Sequence, residues 1–78
     1  MERLQETIDL FANKLVTHLH AEIETLINLQ KHYPDCQEVK RLYLLTEKAA
    51  NAVWIGKWTP YQGLLRGSAV RASRFFYQ

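Results

Sequence analysis

The stretch ERLQETIDLFANKLVTHLHAEIETLINLQKH, residues 2–32, decides the fold. Within it Leu4, Ile8, Phe11, Leu15, Leu19, Ile23, Leu26 and Leu29 recur at steps of three and four. That is the period of a helix with one apolar face. No Gly or Pro interrupts the run. At about 1.5 Å per residue the helix is roughly 45 Å long.

Tyr33-Pro34-Asp35 ends it, because a proline disfavours α conformation in the residue before it. Asp35 fits as the N-cap of a second helix, and Glu38 stands three residues later as in a capping box. The second helix is expected over residues 36–55. Its main stripe is Val39, Leu42, Tyr43, Thr46, Ala49, Ala50, Val53 and Trp54, with Leu44, Leu45, Ala52 and Ile55 off that stripe. A helix apolar on more than one side is central or faces a second partner. Gly56 is placed as its C-terminal cap. Thr59-Pro60-Tyr61-Gln62 then reads as a third start, with Thr59 capping and Pro60 in the first helical position. The third helix is expected over residues 60–77, weakened by Gly63 and Gly67, each costing about 1 kcal/mol against Ala.

The fold class is therefore all-α. Residues 1–78 form a single domain: a long antiparallel helical hairpin plus a shorter basic C-terminal helix. The connections of about three residues put sequential helices side by side. A chain of 78 residues has only a marginal core of its own. Trp54, Trp58 and Tyr61 cluster at the second turn and are expected to close that core.

Cys36 is the only cysteine, which excludes an internal disulfide and fits a reducing compartment. The opening Met-Glu-Arg-Leu-Gln-Glu is too polar for a signal peptide, and no run of about 18 apolar residues spans a membrane. The expected location is the cytoplasm. Net charge is +2, but it is unevenly spread. Residues 1–39 hold three basic and seven acidic side chains; residues 40–78 hold seven basic ones against Glu47 alone. Such segregation implies two halves that attract each other, or a basic surface for an acidic partner.

No catalytic constellation is recognisable. His18 and Glu22 stand four apart, as do His20 and Glu24, but His18 and His20 point about 160° apart on a helical wheel and do not converge on a metal. His32 and Cys36 straddle the turn without a paired motif. Cys36 has no orienting group or oxyanion-hole sequence to make it a nucleophile. No metal or cofactor is expected. Glu22 falls in the middle of the Leu4–Leu15–Leu26 stripe. There it needs either solvent or a Lys or Arg from another helix or chain, since a buried lone carboxylate is costly.

Two surfaces stand out. The first helix overhangs the shorter ones while its stripe stays apolar to the end, so Leu4, Ile8, Phe11 and Leu15 are expected at an interface with another copy or a foreign partner. In the third helix Tyr61, Leu64, Leu65, Ser68, Ala69, Ala72, Phe75 and Phe76 fall on one side. Gly63, Arg66, Gly67, Val70, Arg71 and Arg74 fall on the other. Arg66, Arg71 and Arg74 lie within about 140° of arc. Gly63 and Gly67 remove bulk between them. The terminal Phe75-Phe76-Tyr77 either docks on the core or anchors a partner.

The functional expectation is a non-enzymatic interaction protein, an adaptor, regulator or inhibitor. It binds a larger protein with an acidic surface through Arg66, Arg71, Arg74, Gly63, Gly67, Phe75 and Phe76, as a homodimer or within a hetero-complex. The alternative is a nucleic-acid-binding dimer using the same arginines.

Overall fold

The computed structural model describes residues 2–56 and 62–77, with side chains from residue 3 to 53 and from 62 to 77. Three helices account for almost all of it: α1 (Glu2–His32), α2 (Gln37–Gly56) and α3 (Gln62–Phe76). Among the described residues there is no strand, so the fold is all-α. The expectations for Trp58, Tyr61 and the Thr59-Pro60 start, and for the indole of Trp54, lie outside the described residues.

The link between α1 and α2 is set by Pro34. Helical hydrogen bonding in α1 extends to the Tyr33 amide, which donates to the Leu29 carbonyl (2.8 Å). The Cys36 amide then donates to the Tyr33 carbonyl (3.1 Å). This four-residue turn has Pro34 in the position that favours its fixed φ. The turn uses up Asp35, so α2 starts at Gln37, one residue later than expected. Glu38 pairs with Arg41 (3.3 Å) rather than reaching back to cap. At the other end of α2, Gln62 Nε2 donates to the Val53 carbonyl (3.0 Å). Val53 lies in the last turn of α2, where carbonyls have no partner within the helix. Gln62, the last residue of the Thr59-Pro60-Tyr61-Gln62 start signal, thus ties the beginning of α3 to the end of α2.

The molecule is a rod of 49 × 17 × 16 Å, its length set by α1. The central helix is α1: it packs against both α2 and α3, which touch each other over a smaller area. The two-sided α2 is therefore not the central helix, and its Leu42, Leu44 and Leu45 are exposed. The core joins Val16, Ile23 and Ile27 of α1 to Val39, Tyr43 and Val53 of α2, and to Leu65, Ala72 and Phe76 of α3. Ser68 is buried among them. Its hydroxyl donates to the Leu65 carbonyl (2.9 Å), so it carries no unmet bond into the interior. With Ala72, it keeps the inner face of α3 slim against α1.

The buried seam of α1 differs from the stripe read off the leucines. Ala12, Val16, Leu19, Ile23, Leu26 and Ile27 are buried, whereas Leu4, Ile8 and Phe11 are exposed. The consecutive four-residue steps from Phe11 to Leu15 to Leu19 rotate the apolar stripe across the helix surface. Glu22 is consequently outside the buried face.

Candidate functional site: a basic cleft at one end of the rod

The last turns of α1 and α3 lie side by side. Lys31 of α1 and Arg71, Arg74 and Phe75 of α3 line one shallow cleft there. Lys31 extends over the Phe75 ring, with Nζ 5.2 Å from the ring centre, a cation–π contact that covers part of an exposed aromatic. Arg71 reaches back across α1 and donates to Glu24 Oε1. The pair is partly exposed, and it holds the Arg71 guanidinium in a defined place at the edge of the cleft. Arg66 and Arg74 are exposed, and neither forms an ion pair among the described residues. α3 itself contains no acidic side chain.

The cleft rests on an aromatic latch. Phe76 stacks on Tyr43, with ring centres 4.1 Å apart and planes 3° from parallel, and Tyr77 meets Tyr43 edge-on at 6.1 Å. The Tyr43 hydroxyl donates to Glu47 Oε2 (3.0 Å) and the Tyr77 hydroxyl to Oε1 (2.7 Å). One carboxylate thus ties α2 to the end of α3. Burial, and after it the bond to the Glu47 carboxylate, pushes the Tyr43 phenol above its ordinary value. The bond to Glu47 does the same to Tyr77. A phenolate there would face a carboxylate at hydrogen-bond distance.

Set against the sequence, Arg71, Arg74 and Phe75 come together in the cleft, and Arg66 lies two turns back along α3. Phe76 does not join a partner surface. It is a core residue, because the short α3 brings its last turn over Tyr43. Leu15 is half-buried against the chain's own core. A Cβ added at Gly63 or Gly67 meets nothing within 4 Å, so both glycines border open space. Glu22 lies exposed beside His18, 3.6 Å away; the acid that takes an interhelical arginine is Glu24. Among the described residues no group of three His, Cys, Asp or Glu side chains gathers to hold a metal. Cys36 is a free thiol.

Lys31 was not singled out in the sequence, and Glu24 was weighed only beside His20 as a metal ligand. Their signal is present only once the faces of α1 and α3 are known to meet, since they sit 40 and more residues away from their partners. Compared with known proteins, the chain matches no family model, no curated protein and no solved structure.

Proposed function

We propose that the protein is a small non-enzymatic interaction protein whose basic end binds an acidic surface on a larger protein. The observation that carries this reading is the cleft in which Lys31 joins Arg71 and Arg74 around Phe75. One further cation comes with no added acid: Arg66, like Arg74, is exposed. Arginine offers a planar fork of donors matched to carboxylates. Phe75 supplies the apolar contact that a purely electrostatic surface lacks. In this reading α1 and α2 form an antiparallel hairpin about the Pro34 turn, α3 is its basic appendage, and Cys36 remains a thiol in a reducing cytoplasm.

The test is a titration with polyglutamate and, separately, with a mixed-sequence oligonucleotide, each at two salt concentrations. The double variant Arg66→Glu/Arg74→Glu breaks no ion pair among the described residues and should keep its helical circular dichroism. Binding of polyglutamate by the natural chain, lost at least about tenfold in the variant, supports the proposal. Equal binding by a folded variant refutes it. Preference for the oligonucleotide, with a steep fall of log affinity against log salt, assigns the face to nucleic acid instead. Gly67→Leu should weaken binding by bulk, as a Cβ at that position meets nothing within 4 Å.

A further inference from the structure

A second crevice opens beside the basic cleft, between the Pro34 turn and the last turn of α3. Gln30, Asp35, Gln37, Lys40 and Phe75 line it. Phe75 also lines the cleft of Lys31, Arg71 and Arg74, so the two hollows share one aromatic wall. Lys40 comes to this place because it lies one turn before Tyr43, on the side of α2 that meets α3, where Tyr43 stacks on Phe76. Lys40 is exposed and forms no ion pair among the described residues.

We propose that the acidic element bound by the basic end is an extended segment of the partner protein that crosses Phe75, with one acidic side chain among Lys31, Arg71 and Arg74 and another against Lys40. This rests on the reading of the first cleft given above. It adds the second crevice, a binding role for Lys40 and the form of the ligand.

Size, shape and charge support this. The cleft and the crevice measure about 400 and 280 Å³. Each is at the small end of the ~300–1,000 Å³ that encloses a whole ligand, so each suits a side chain and the pair suits several residues of a chain. Phe75 is 36% exposed and stands between them. A ligand that enters both must pass over its ring, which an extended chain can follow and a broad folded surface cannot. The charges differ on the two sides. Three cations line the first cleft, whereas Lys40 faces the second together with Asp35. Asp35 makes no ion pair with Lys40, so the ammonium keeps its donors for a ligand. The same carboxylate repels a second acid, which limits the crevice to one. An ammonium is a compact charge with three rotatable donors and serves a single carboxylate without a fixed plane, and the Gln37 amide adds neutral donors beside it.

The dimensions fix how long such a segment must be. The rod is 17 × 16 Å across. An extended chain covers about 3.3 Å per residue, so two residues span about 7 Å and six about 20 Å. A diglutamate therefore stays within one hollow, while a hexaglutamate reaches across the whole end. Once its first acid is held, the second meets Lys40 as a tethered group rather than a free one. The gain in affinity with length should then depend on Lys40.

The test is an NMR titration with diglutamate and with hexaglutamate, both capped at their ends so that every charge sits on a side chain. Lys40→Gln should weaken hexaglutamate binding about three- to fivefold, the worth of one exposed charge pair, and leave diglutamate within about twofold of the natural chain. Asp35→Asn should strengthen hexaglutamate binding and leave diglutamate as it is. Lys48→Gln, on the same helix but lining neither hollow, should change neither. Three results would overturn the proposal: no effect of Lys40→Gln on hexaglutamate, an equal effect on both peptides, or an equal effect from Lys48→Gln. The last two would mean that Lys40 acts only through the general field of the molecule. The first cleft is tested separately by Arg74→Glu, which should weaken diglutamate binding. A folded Arg74→Glu variant that binds diglutamate like the natural chain removes the underlying reading, and a natural chain that binds neither peptide removes both.

Discussion

The two halves of α1 are built from the same residue types at the same spacing and have opposite fates. Residues 3–11 hold Leu4, Ile8, Leu10 and Phe11 in solvent, whereas Val16, Ile23 and Ile27 in the second half are almost wholly enclosed. Helical periodicity names the face that wants cover; it does not name what covers it. The second half is covered because α2 and α3 are 20 and 15 residues long, and a span of that length reaches only part way along 31 residues of α1. Length, more than hydrophobicity, divides the helix into a core half and a surface half.

The sharpest way to break this comparison is to truncate the same side chain in both halves. Ile23→Ala should cost about 3 kcal/mol, within the ~2–5 of buried large-to-small changes. Ile8→Ala should cost well under about 1 kcal/mol at concentrations where the chain is monomeric. Urea unfolding followed by circular dichroism measures both. Equal costs would mean that the first half is packed within the monomer, and the division would be lost.

The division was partly legible in the sequence. The uninterrupted run from residue 2 to 32, the Pro34 break and the arginines of α3 needed only local rules: period, proline sterics and charge. The overhang followed from comparing helix lengths. What local rules could not supply was the rotation of the seam within α1. Glu22 looked interior because the stripe was extended straight through it, whereas the true seam passes through Val16, Leu19 and Ile23 one residue away. Whether Phe76 docked on the core or anchored a partner stayed open, because Tyr43, on which it stacks, lies 33 residues earlier. The contacts of Lys31 and Glu24 with α3 were invisible for the same reason. Pairings between helices depend on how two faces meet, and that is a property of the assembled core.

A smaller effect sharpens the contrast from the covered side. The latch of Tyr43, Glu47 and Tyr77 belongs to the enclosed half alone. Both phenols titrate above the ordinary tyrosine value in the folded chain, so the folded state holds these protons more tightly than the unfolded one. The stability they contribute is complete below about pH 10, the unfolded value, and is lost as pH rises beyond it towards the folded values. Urea midpoints should fall from about pH 10 upwards, and tyrosinate absorbance should rise together with unfolding. Glu47→Gln removes the charge that both hydroxyls face and should shift that decline. An alkaline profile unchanged by Glu47→Gln would show that the carboxylate does not govern the latch.

The smallest expected effect lies at the Arg71–Glu24 pair, and there stability and binding should move in opposite directions. The two side chains are 54% and 28% exposed, so solvent screens their attraction. Glu24→Gln should cost no more than about 0.2–1 kcal/mol, the usual worth of such a pair. Its effect on the cleft should be easier to see. Glu24 is the acid that offsets the charge of Lys31, Arg71 and Arg74, and removing its charge leaves three cations around Phe75. Polyglutamate should then bind the variant more tightly than the natural chain, and the gain should shrink as salt is raised, because the added attraction is screened. Lys31→Gln should do the reverse, weakening binding while leaving the fold intact. If Glu24→Gln loses stability and gains no affinity, the pair is only a brace between α1 and α3, and the anion-binding role would fall to Arg66 and Arg74 alone.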